Sequence, residues 1–237
     1  MKKEDSIKLA IVGLFAIAMA FIETVVVVYL RMLFYPNGFD FPLSGLINPS
    51  IILIEWVREF FTIVMLACVA FLAGKKFYGK LAYFFYSFAI WDIFYYIWLK
   101  VILDWPSSVL TWDLLFLIPI PWASPMIVPI LYSLTIILVS ILILNFQARN
   151  QNIRVDLREK ILFISGSLII LYTFLFDYGK LMLENGYFRE FLTLASNHEF
   201  MEIISEYIPL SYNWIIFFIG EILILASILF FYLRNKK

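Results

Sequence analysis

Six ionisable side chains, Glu23, Glu55, Arg58, Glu59, Asp92 and Glu221, interrupt stretches of sequence that are otherwise almost wholly apolar. Such groups are costly: on insertion scales each adds about 2.5–3.5 kcal/mol at the centre of a membrane helix, so they face protein or water and take partners. Three of them fall close together. Glu55 and Glu59 are four residues apart and share a helix face, Arg58 is three from Glu55, and Thr62 continues the stripe. Arg58 is therefore placed to pair with Glu55 on its own helix and to reach an acid on another. Asp92 shares a face with Tyr95 and Tyr96, whose hydroxyls are candidate donors to it. Five carboxyl groups set against one guanidinium cannot all ionise in a dry site, so some keep their protons near neutral pH.

Three uses fit this set. The groups can bond helices that apolar packing alone would not hold together. They can handle protons or cations, since acids within a membrane mark such paths. Paired carboxylates can also do acid–base work on a substrate arriving from outside, although no nucleophile accompanies them. The reading carried forward is a binding or proton/cation site made of all six residues. No catalytic residue, metal ligand or cofactor is expected, and an enzyme is the less favoured class.

The elements that position these groups follow from composition. Of 237 residues 63% are apolar and only 15% charged, against about 25% charged in soluble domains. A soluble domain of this size needs a polar coat that is missing here; lipid removes the need for one. A bilayer-spanning helix needs about 20 apolar residues, and six runs qualify: about 9–30, 51–72, 81–103, 126–144, 161–176 and 214–233. The expected fold is an all-α, polytopic membrane helical bundle forming a single domain. Ala18-Met19-Ala20 looks like a signal-peptide cleavage site, but the apolar run continues through Val25–Val28 to Leu30, a length that fits a span better. With both termini inside, 13 of the 18 basic residues fall in inner segments; only Arg31, Lys100, Lys180 and Arg189 fall outside. That bias gives orientation and supports an even number of spans. Both termini are then cytoplasmic, and the expected location is a bacterial-type plasma (inner) membrane.

The outer side carries the elaboration. All nine prolines, and every tryptophan except Trp91, lie in outer loops or the outer ends of spans. Between Asp104 and Ser124, the apolar stretch Leu114–Ile120 is too short to cross. It is bounded by Pro106 and by Pro119, Pro121 and Pro125. This is expected to be a re-entrant or interfacial element feeding the fourth span; the alternative is a surface helix in the headgroups. Between Asp177 and Asn213, Phe191, Leu194, Met201, Ile204 and Ile208 recur at spacings that fit an amphipathic helix resting on the membrane or on the bundle. Its acidic residues fit a solvated face. The six in-span charges all lie at the centre or in the outer half of their helices, placing a polar cavity beneath the outer loops.

Other functions are poorly supported. Net charge is zero, leaving no basic excess for a nucleic-acid backbone. Cys68 has no partner for a disulfide and reads as a small buried hydrophobe. The single His198 rules out His-rich metal sites and a bis-histidine haem. There is no phosphate-binding Gly-rich loop, HExxH or CxxC. The pairs Trp91-Asp92 and Trp112-Asp113 are too short a likeness to make an internal repeat.

The segments Trp91-Asp92-Ile93-Phe94-Tyr95-Tyr96, Asp104-Trp105-Pro106 and Thr111-Trp112-Asp113, continuing through Phe116-Leu117-Ile118-Pro119-Ile120-Pro121-Trp122, carry a resemblance, as does Val27-Val28-Tyr29-Leu30-Arg31. Over about the first 145 residues the chain resembles a family of uncharacterised bacterial integral membrane proteins. The resemblance implies a membrane protein and no particular activity. The expected function is a small transport or solute/ion-binding component with an outward-facing cavity. The alternatives are a structural or assembly subunit of a membrane complex and an enzyme acting on a lipid or lipid-linked substrate. Expected partners are the bilayer and a second copy or a partner subunit, with no nucleic acid. The orientation is testable: in a Cys68→Ser background, Lys76→Cys is expected to react with an impermeant maleimide only from the inside, and Ser107→Cys only from the outside. Labelling of both from one side overturns the assigned topology.

Overall fold

A computed structural model describes residues 3–43, 49–149, 153–187 and 198–236. Among them run α1 (Lys3–Phe34), α2 (Pro49–Ala73), α3 (Phe77–Leu103), β1 (Trp112–Phe116), β2 (Trp122–Pro125), α4 (Ile127–Ala148), α5 (Leu157–Glu184), α6 (His198–Glu206) and α7 (Trp214–Asn235). All but α6 of these helices are long and apolar enough to cross a membrane, six in number, so the protein is a multi-pass helical bundle in lipid. Lipid as solvent also explains the surface, where Leu33, Ile54, Phe71, Leu72 and Ile215 are largely exposed.

The helices form two groups joined through α3 and α4. α3 packs on α1, α2 and α4, while α7 packs on α4 and α5. In the first group, Ala16 and Ala20 are fully buried beside Leu66 and Trp91, small residues letting α1 approach its neighbours closely. In the second, Gly166 and Gly220 bring α5 and α7 into backbone contact. A Cβ on Gly166 would lie 2.6 Å from the Gly220 carbonyl oxygen, and one on Gly220 would lie 2.7 Å from Ile170.

The short outer segment is neither a surface helix nor any other helix. It is an antiparallel β-hairpin pairing Asp113 with Ser124, Leu114 with Ala123 and Phe116 with Trp122, with an irregularity between Leu114 and Phe116. Its tip reaches into the bundle. Phe116 stacks on Phe88 at 6.5 Å and contacts Trp91 at 5.8 Å, both near the middle of α3. On the other side Trp122 stacks on Phe174 of α5 at 6.3 Å. The hairpin therefore fills the space between the two helix groups.

Several details depart from the expectations. α5 extends beyond 161–176 at both ends. Asp177, which closes the apolar run, is accommodated inside the helix because the Tyr207 hydroxyl donates to it at 2.8 Å. Of the amphipathic segment, the described part begins at α6. Ile204 is buried against the outer cluster with Leu43, Ile120, Tyr178 and Met182, whereas Ile208 is exposed. Phe191 and Leu194 lie outside the described residues. Cys68 is exposed on α2 rather than buried; on a helix bathed in lipid, a small apolar side chain is equally at home facing outward.

At the inner end, Asp156 and Glu159 form a capping box at the start of α5, with the Asp156 N–H donating to Glu159 at 2.9 Å. Arg234 of α7 donates to both acids at 2.7 Å. The backbone N–H of Leu157, and then the Arg234 charge, hold the Asp156 carboxyl below the usual carboxylate range. A depressed folded-state pKa stabilises the fold above the unfolded value, about 3.9 for Asp, and that contribution is lost as pH falls through the folded value. Arg234→Gln is therefore expected to lower the unfolding temperature at pH 7. The deficit relative to wild type should shrink below about pH 4, as read by thermal unfolding in nanodiscs.

Candidate functional site

The second helix explains the cluster around Arg58. One turn of α2 places Glu55, Arg58 and Glu59 side by side, and α1 brings Glu23 opposite. Arg58 donates through Nε at 2.9 Å and through Nη2 at 2.5 Å to Glu55, while its Nη1 forms an ion pair with Glu23. Thr62, one turn further along, donates to the other Glu23 oxygen at 3.2 Å. One guanidinium thus clamps α1 to α2 by bridging an acid on each, its single charge offsetting one of the two. Glu59 points toward the hairpin instead. The Leu117 N–H donates to both of its oxygens at 3.0 Å.

Depth gives that last bond its meaning. Glu59 lies about 15 Å along α2 from its outer end at 1.5 Å per residue, roughly half the thickness of the hydrocarbon layer. Hairpin backbone at that level must find its hydrogen bonds in protein, and a carboxylate supplies one.

A second buried ion pair closes the outer end. Arg31, in the last turn of α1, donates through Nη2 to Asp113 of β1 at 2.9 Å. The Asp113 side chain is 1% and the Arg31 side chain 7% exposed, so the pair is shielded from water. The Arg31 guanidinium also lies against the rings of Trp105 and Phe39, at 3.8 and 4.2 Å. Burial pushes the Asp113 carboxyl up to about 6, against the pull of Arg31, the Leu114 N–H and the Tyr96 hydroxyl.

Asp92 is held differently. Its one hydrogen bond among the described residues comes from Ser133 of α4, at 2.8 Å. The expected donors Tyr95 and Tyr96 are not its hydrogen-bond partners; Ser133 takes that place. Asp92 is partly exposed although it sits near the centre of α3, and that exposure is to a cavity.

The cavity has a volume of about 120 Å³ and is bounded by α1, α2, α3, β1 and the chain just after α1. Glu23, Glu55, Arg58, Glu59 and Asp92 line it, as the sequence led us to expect, and Arg31 and Asp113 join them. Tyr95, Tyr96 and Trp91 complete the deeper wall, while Phe34, Tyr35, Phe39 and Ile51 stand toward the outer end. The wall thus carries five carboxyl groups and two guanidinium groups. Among the described residues no three acid, His or Cys side chains converge closely enough to hold a metal ion.

Glu221, the sixth residue of the expected set, does not line this cavity. α7 packs on α4 and α5, away from α1 and α2, so Glu221 belongs to a separate polar contact. There it accepts from Thr135 at 2.9 Å. Arg31 and Asp113 are residues that the sequence reading placed only in the outer end and outer loop. A signal for Arg31 existed: Glu23, Val27, Leu30, Arg31 and Phe34 recur at the spacing of one helix face, and all line the cavity. Comparison with protein-family models, curated proteins and solved structures finds no match.

Removing one member of a buried ion pair leaves the other charge unpartnered and costs about 3–5 kcal/mol. Asp113→Ala is expected to destabilise the protein on that scale. Adding Arg31→Gln to Asp113→Ala should recover part of the loss, a coupling that chemical denaturation in detergent micelles measures by double-mutant cycle.

Proposed function

We propose that this multi-pass membrane protein is a small transport or solute-binding component that receives a cationic group from the outer side, with Asp92 as the receiving carboxylate. The observation that carries the reading is Asp92's situation. It is a carboxyl group near the centre of a membrane helix, accessible through the cavity, with no basic partner among the described residues. A carboxylate at such depth is costly, and a bound cation or a proton offsets that cost.

The surrounding charges supply the frame. Arg58 bridges Glu23 and Glu55, Arg31 pairs with Asp113, and Glu59 anchors the hairpin. These same bonds favour a second reading, in which the protein is a structural or assembly subunit and its acids join helices. On the first reading, the six spans sit in a bacterial-type plasma membrane with both termini cytoplasmic. A single chain of this size is small for a complete alternating-access machine, so a second copy or a partner subunit completes it.

Methylammonium is the simplest probe. In nanodiscs, the wild-type protein is expected to bind it saturably by equilibrium dialysis. Asp92→Asn should weaken that binding by at least about tenfold, equivalent to 1.4 kcal/mol, with little change in unfolding temperature. An Asp92→Asn variant that loses stability, together with a wild type that binds no methylammonium, supports the structural reading and overturns the binding one.

A further inference from the structure

Two donors beside Asp92 have no role in the frame. Arg31 Nη1 is buried without a hydrogen-bond acceptor among the described residues, even though Nη2 of the same guanidinium is committed to Asp113. The Trp91 Nε1–H is likewise buried with no acceptor among them. Arg31 is 6% and Trp91 5% exposed, so neither group is satisfied by bulk water, and both residues line the same cavity as Asp92. Leaving a buried donor unsatisfied costs about 1–3 kcal/mol, more when it is charged. Arg58 differs, since all its nitrogens are directed at Glu55 and Glu23.

The wall therefore asks for two complementary things at once. Asp92 calls for a cation, as does Asp113 Oδ2, which is buried without a donor among the described residues, and the two orphaned donors call for an anionic or carbonyl acceptor. Arg31, Trp91 and Asp92 are brought together by the one cavity they line. The Arg31 guanidinium also rests against the Trp105 and Phe39 rings, at 3.8 and 4.2 Å.

We propose that the ligand of this cavity is a small zwitterion carrying an ammonium and a carboxylate group, of the small amino-acid class. The ammonium meets Asp92, and the carboxylate accepts from Arg31 Nη1 and the Trp91 indole. This rests on the reading of Asp92 as a cation-receiving group and adds a second pole to it. A cavity of about 120 Å³ limits the ligand to few heavy atoms. Opposed charges within one ligand also let it enter without adding net charge to a low-dielectric site, where an unpaired ion would be expensive.

The test is equilibrium binding to the full chain in nanodiscs, using glycine, β-alanine and γ-aminobutyrate as zwitterions of increasing charge separation. Methylammonium and acetate supply each pole alone. At least one zwitterion is expected to bind about tenfold or more tightly than either single-pole probe, a gap of 1.4 kcal/mol. Trp91→Phe keeps an aromatic ring and removes the donor. It should weaken the zwitterion severalfold and leave methylammonium unchanged. Arg31→Gln combined with Asp113→Asn removes the guanidinium without stranding its partner's charge, and should reduce the zwitterion to the methylammonium level. If methylammonium binds as tightly as every zwitterion, the zwitterion assignment fails while the Asp92 reading stands. If no probe bearing an ammonium group binds saturably, both fail.

Discussion

The bond from the Leu117 N–H to the Glu59 carboxylate is what allows a β-hairpin to exist inside this helical bundle. Within a bilayer, backbone that is not helical survives only where protein covers it and satisfies its polar groups. A two-stranded hairpin is marginal by itself even in water. Here it is held at three levels. Glu59 takes its tip, the ring contacts of Phe116 and Trp122 wedge it between the two helix groups, and the Arg31–Asp113 pair ties its first strand to the end of α1.

That arrangement divides the charged residues by task. Buried ion pairs contribute little net stability, because desolvation opposes the Coulomb gain, but breaking one is expensive. Arg58 between Glu23 and Glu55, and Arg31 with Asp113, are therefore better understood as fixing which helix faces which than as deep sources of stability. These bonds set Asp92 apart. Alone of the cavity's acids, it has no charged or backbone partner among the described residues; its bond comes from the Ser133 hydroxyl, and it lines the cavity.

The second helix group follows a different logic. α5 and α7 meet through Gly166 and Gly220, where close backbone approach supplies the contact. Glu221, beside that contact, accepts from Thr135 on α4. At the inner end, Arg234 joins the two acids at the start of α5. The polar elaboration around the cavity is therefore confined to the first group, with the hairpin as its boundary.

The span count, the apolar surface and the depth of Glu23, Glu55, Glu59 and Asp92 were legible in the sequence, because lipid acts on composition over a local run of about 20 residues. The pairing of Arg58 with Glu55 was legible for a similar reason, since a separation of three residues on a helix is already a statement about space. The hairpin was not. Its short apolar stretch and flanking prolines marked a segment that cannot cross, but strand pairing depends on partners along the chain and on the crevice that receives them. Nor was the union of Arg31 with Asp113, 82 residues apart, or the removal of Glu221 to another interface. Hydrophobicity decides which residues enter the membrane; only helix packing decides which of them meet there, because that choice rests on shape and crossing geometry between segments, which no local pattern encodes.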